Sequence, residues 1–125
     1  MTINDQAFGV CNWFPEHGEH LVFPNDLADF IALRPNGKLF QCVGKEFGYL
    51  VLSYGERRFH VGQDVFKAAP APRYRVGQSV KTSQKQGVVA DIEWHFKDSV
   101  PIYYVAFSGK RSSRRYLEHE LAIDS

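Results

Sequence analysis

A mainly β fold in two parts is what this sequence predicts, and three observations carry the prediction. Aromatic residues make up 14% of the chain, with ten Phe and six Tyr, and such side chains suit pleated, half-buried surfaces. Apolar stretches in both halves are short and are cut by turn residues. Ala68-Ala69-Pro70-Ala71-Pro72 sets two prolines within five residues, a stiff connector that cannot lie inside a sheet. These features define an N-terminal β-rich domain over 1–68, a connector over 69–73 and a small β domain over 74–125. The expected architecture is an N-terminal β-meander with one short helix, packed beside a C-terminal five-stranded small barrel.

The elements follow in order. Phe8 to Phe14 reads as a strand stopped by Pro15, and Glu16-His17-Gly18-Glu19 as a turn. Leu21-Val22-Phe23 resumes a strand that ends at Pro24. Asn25 or Asp26 can cap a short helix through Leu27, Phe30 and Ile31. Arg34-Pro35-Asn36-Gly37 has turn chemistry, with Asn-Gly a hairpin signal. Lys38 to Val43, Phe47 to Tyr54 and Arg57 to Val61 make a meander.

In the second half, Val76 to Val80 opens the first strand and Lys85-Gln86-Gly87 is a turn. From Val88 to Phe96 the residues alternate, with Val88, Ala90, Ile92, Trp94 and Phe96 on one face. Val89, Asp91, Glu93 and His95 take the other, which predicts one buried and one wet side. Ile102 to Phe107 is apolar on both faces, Ser108-Gly109 turns, and Lys110 to Tyr116 is a polar, basic strand.

Charge is balanced overall at +1. The first 72 residues hold six Lys and Arg against eight Asp and Glu, and the remainder nine against six. So mild an asymmetry steers partners weakly. No secretion signal or membrane span is legible, so a cytoplasmic protein with Cys11 and Cys42 reduced is the expectation.

Four segments of the second half carry a resemblance. They are Val76-Gly77-Gln78 with Val80, Gly87-Val88-Val89 with Ile92, Tyr103-Tyr104-Val105 with Phe107, and Arg115-Tyr116-Leu117 with Glu120-Leu121. Together they resemble small five-stranded Tudor-type and KOW-like barrels over roughly residues 74–122. Glu93-Trp94-His95-Phe96-Lys97 and Gly109-Lys110 with Arg114-Arg115-Tyr116 also make the whole chain similar to an uncharacterised bacterial family of two-part β proteins. That family implies no established activity.

The expected function is non-enzymatic recognition of a protein partner, with an acidic surface as one partner chemistry. A small inhibitor, such as an immunity protein that plugs a toxin, is a concrete version. The partner surface would use Trp13, Glu93, His95, Tyr103, Lys110, Arg111, Arg114, Arg115 and Tyr116, because aromatic and Arg residues dominate interface energetics. Tyr103 is the better exposed tyrosine on this reading, and Trp94 belongs to the core. Trp94, Tyr103, Tyr104 and Tyr116 could instead form an aromatic cage. A second reading is a nucleic-acid binder using the basic strand and its flanking tyrosines. A third is a small enzyme using His95 and Glu93. His17 and His20, with Cys11, Cys42 or His60, lack the paired spacing of a zinc site, so neither metal nor cofactor is expected.

Overall fold

The computed structural model describes residues 7–124. The chain separates into two compact units, with the boundary between Ala71 and Pro72. Each contains one five-stranded antiparallel sheet, and the described α-helix belongs to the first.

The N-terminal sheet comprises β1 (Phe8–Cys11), β2 (Leu39–Glu46), β3 (Tyr49–Tyr54), β4 (Arg57–Val61) and β5 (Phe66–Ala68). Its spatial order is β4-β3-β2-β1-β5, so β2 to β4 form the expected meander. Phe47 and Gly48 take φ of 54° and 84° between β2 and β3, the signs that a tight two-residue hairpin requires. The stretch before the prolines is itself a strand: β5 pairs with β1, placing Ala68 opposite Gly9. A Cβ on Gly9 would lie 2.6 Å from the Lys67 carbonyl oxygen, so this close approach needs glycine.

Helix α1 (Pro24–Leu33) starts with Pro24 in its first turn and Phe23 at the cap, where proline's missing N–H costs nothing. Asn25 and Asp26 therefore lie inside the helix and do not cap it. The Asn36-Gly37 pair joins α1 to β2 and makes no hairpin. Two 3-10 turns, Pro15–His17 and Glu19–Leu21, precede the helix, and the strand expected at 21–23 reduces to one bridge between Val22 and Val61. Phe30 is the hub of the core, its ring 5.4 Å from Trp13, 5.9 Å from Phe40 and 5.1 Å from Phe59. Burying such rings supplies the main stabilisation, since each removes a large apolar area from water.

The C-terminal sheet comprises β6 (Ser79–Lys81), β7 (Gln86–His95), β8 (Val100–Phe107), β9 (Lys110–Arg111) and β10 (Ala122–Ile123), in the order β10-β6-β7-β8-β9. The expected alternation along β7 fails at one point. A bulge between Val89 and Asp91 shifts the register against β8, and one extra residue exchanges the two faces. Val89 and Ile92 are consequently buried, whereas Val88 and Phe96 are exposed. Trp94 is half-buried and is not a core residue.

The basic strand expected to reach Tyr116 ends at Arg111. Tyr116 then makes a single bridge to Tyr103. A 3-10 turn at Glu118–Glu120 leads into β10, which pairs with β6. The last strand thus lies beside the first. Two tyrosines tie these parts together from inside. The Tyr103 hydroxyl accepts the Arg73 N–H at 3.0 Å, and the Tyr74 hydroxyl donates to the Leu121 carbonyl at 3.0 Å. Among the described residues no strand pairing joins β9 to β10, so the sheet is open in its hydrogen bonding. Among the same residues no helix is long and apolar enough to cross a membrane.

Candidate functional site

The C-terminal unit carries a polar groove of about 540 Å³. One wall is the turn from Thr82 to Lys85, between β6 and β7. The other is formed by Ser112, Arg114 and Tyr116, with Phe107, His119 and Glu120 completing it. Both walls are organised by local hydrogen bonds. The Thr82 hydroxyl accepts the backbone N–H groups of Gln84 at 3.2 Å and Lys85 at 3.1 Å, a side-chain mimic of a backbone turn. Across the groove, the Ser112 hydroxyl accepts the Arg114 N–H at 3.1 Å. Glu120 accepts the Leu117 N–H at 2.8 Å and the Arg114 guanidinium at 3.2 Å. The Leu117 N–H, and then Arg114, hold the Glu120 carboxyl below its ordinary range.

Several cations of this unit, Lys85, Arg111 and Arg114 among them, lie on aromatic faces. The Lys85 ammonium is 5.0 Å from the Phe107 ring centre, and the Arg114 guanidinium is 4.7 Å from that of Tyr116. Arg111 lies 4.2 Å from the Tyr104 ring centre and pairs with Asp91 at 2.8 Å. Of the four residues that an aromatic cage would use, Tyr104 and Tyr116 are thus covered by the chain's own guanidinium groups and Tyr103 is fully buried. What the groove presents outward is positive charge, hydroxyls and amides.

Of the surface residues expected from sequence, Arg114 and Tyr116 line this groove. Lys110, Arg111 and Arg115 are exposed nearby in the chain. Three expectations are corrected. Trp13 and Tyr103 are buried at 1% and 0% exposure, because Trp13 packs on Phe30 and Tyr103 meets Tyr74 ring to edge at 5.4 Å. Neither can anchor a partner from the surface. Tyr116 is also buried, at 7%, so it serves as the floor beneath Arg114.

Glu93 and His95 are half-buried on β7 and line neither this groove nor the apolar cleft of the N-terminal unit. The His95 Nδ1 accepts the Asp98 N–H at 3.3 Å and lies 3.4 Å from the Asp98 carboxylate.

A second polar cluster escaped the sequence reading. His60 on β4 is held between two carboxylates, with Nδ1 at 2.8 Å from Asp26 and Nε2 at 2.7 Å from Glu46. Asp26 also accepts the His60 backbone N–H at 2.8 Å. Hydrogen bonds to Glu46 and then Asp26 raise the His60 pKa, since both carboxylates favour the imidazolium. The partners lie 34 and 14 residues away in sequence, and no motif links them. Among the described residues no group of three or more His, Cys, Asp or Glu side chains is arranged to hold a metal ion. Cys11 and Cys42 are both free and buried.

Fold and groove together define a class: a two-unit, mainly β protein with a hydrogen-bonding, cation-lined groove on its second sheet. Within that class the chain belongs to a family of unknown function, DUF6960, whose model matches residues 1–122. No curated protein matches the sequence.

Proposed function

We propose that this protein is a non-enzymatic binding module whose C-terminal unit recognises an acidic segment of a partner protein. The observation that carries the proposal is the groove between Thr82–Lys85 and Ser112–Tyr116, where Lys85 and Arg114 stand on aromatic rings. A ring beneath a cation fixes a flexible side chain at low entropic cost, and it leaves outward the Lys85 ammonium and those Arg114 donors that Glu120 does not take. Carboxylates suit those donors, and hydroxyls and backbone groups of the walls suit a peptide main chain. A Tudor-type small barrel for this unit is supported by the last strand lying beside the first after a 3-10 turn, although β9 and β10 do not pair to close it among the described residues. Such scaffolds host many functions, so the site and not the fold carries the assignment. A cytosolic inhibitor acting by steric occlusion agrees with this reading.

A protein partner is favoured over nucleic acid by how the arginines are used. Arg111 is paired with Asp91 and Arg114 with Glu120, which interrupts the continuous basic track that a phosphate backbone would follow and leaves a short site of a few donors at Lys85 and Arg114. The test is fluorescence anisotropy with a labelled Asp/Glu-rich peptide, single- and double-stranded DNA, and RNA, each at two salt concentrations. The peptide should bind saturably, and the Lys85→Ala/Arg114→Ala double variant should weaken it about tenfold, the loss of one to two charge-assisted bonds. Micromolar affinity for any nucleic acid with a steep salt dependence, or a variant that binds the peptide unchanged, would overturn the proposal.

A further inference from the structure

The N-terminal unit holds a cleft of different chemistry, independent of the groove above. Trp13, Phe14 and Pro15 form one wall, and Ile31 and Pro35 the other, around a volume of about 400 Å³. That volume lies in the range of small-ligand sites, which are mostly apolar with few polar groups. Phe14 and Ile31 remain exposed at 48% and 38%, an apolar surface turned toward solvent within a concavity. Both N–H groups of Trp13 are already satisfied internally. The Trp13 N–H donates to the Asn36 side-chain oxygen at 3.0 Å, and the Trp13 indole N–H to the Gly18 carbonyl at 3.0 Å.

One charged side chain lines this cleft, that of Arg34. It is exposed, and no ion pair engages its guanidinium among the described residues. Arg34 ends α1 with φ of 56° and ψ of 65°, a left-handed conformation usually given to glycine because an L side chain is strained there.

We infer that this cleft binds a small apolar carboxylate. The alkyl or aryl part lies against Phe14, Ile31 and Pro35, and the carboxylate meets Arg34. A guanidinium presents paired N–H donors that match the two carboxylate oxygens. The apolar walls leave no second cation for a more highly charged ligand such as a phosphate ester.

Isothermal titration of the full chain with octanoate and with uncharged octanamide tests this. Octanoate should bind saturably and about tenfold more tightly than octanamide, the advantage of a charge-assisted bond over a neutral one. Arg34→Gly is the decisive variant, because glycine accepts this φ and the fold is retained or strengthened. It should bind both probes equally, at the wild-type octanamide affinity. Ile31→Glu should lose both. Absence of saturable octanoate binding at millimolar concentration, equal wild-type affinity for the two probes, or an Arg34→Gly protein that still prefers octanoate would overturn the inference.

Discussion

In the N-terminal unit the ring of Phe30 meets those of Trp13, Phe40 and Phe59. In the C-terminal unit the rings of Tyr104 and Tyr116 meet the guanidinium groups of Arg111 and Arg114. Both units use aromatic surface in both ways, since Arg57 lies over Phe59 and Tyr74 packs against Tyr103, but the Phe30 cluster is built of rings without hydroxyls and the C-terminal contacts are built of tyrosines. The difference follows from the side chains available. Phenylalanine has no polar atom and can be enclosed completely. Tyrosine carries a hydroxyl that needs a partner when buried, and Tyr74 and Tyr103 find theirs in backbone groups. Arg111 and Arg114 are held at the surface by the rings of Tyr104 and Tyr116.

The largest expected effect comes from breaking the ring cluster. Phe30→Ala removes a fully buried side chain and should cost about 3–5 kcal/mol, measured by chemical denaturation. A loss under about 1 kcal/mol would mean that the cluster collapses onto the cavity or is not the core. Tyr103→Phe comes next. It keeps the ring but leaves the Arg73 N–H unpaired, so about 1–3 kcal/mol should be lost. The groove is lined by other residues, and binding of an acidic peptide by the folded variant should be unchanged.

A smaller effect concerns pH. The folded pKa of His60 is raised above 6.5 by Glu46 and Asp26. A raised folded value means that the native state holds this proton more tightly than the unfolded chain does. The contribution is therefore full below the unfolded pKa and is lost as pH rises through the folded one. Denaturation across neutral pH should show wild type losing its advantage over His60→Gln on the alkaline side. An advantage that grows with pH would contradict the bracketed geometry. The smallest effect is chemical. Burial pushes the Cys11 thiol up to about 12, so it should resist alkylation in the native protein at mildly alkaline pH and react only after denaturation. Rapid native labelling, read by mass spectrometry, would show that β1 opens.

Much of the architecture was legible because it rests on local signals. The meander, the helix and the turns at Gly55 and Gly109 announce themselves through apolar runs and turn residues. The β7 alternation misled for a definite reason. Strict period two assumes an unbroken ladder, and nothing in Val89-Ala90-Asp91 advertises the bulge. β5 was hidden because Phe66–Ala68 runs straight into prolines. The groove was half-legible. The arginine cluster was visible as composition, but the Thr82–Lys85 wall lies far from it in sequence and only the sheet pairing assembles the two. Trp13 and Tyr103 show the limit of residue type as a guide, since the residues most useful at interfaces are also those most useful in a core.

The central claim is that the working surface is the groove under Arg114. Amide chemical-shift mapping of the isotopically labelled full chain with an Asp/Glu-rich peptide tests it most directly. The account predicts shifts concentrated at Thr82 to Lys85 and Ser112 to Glu120. Shifts confined to Glu93 and His95, or to the N-terminal sheet, would contradict it.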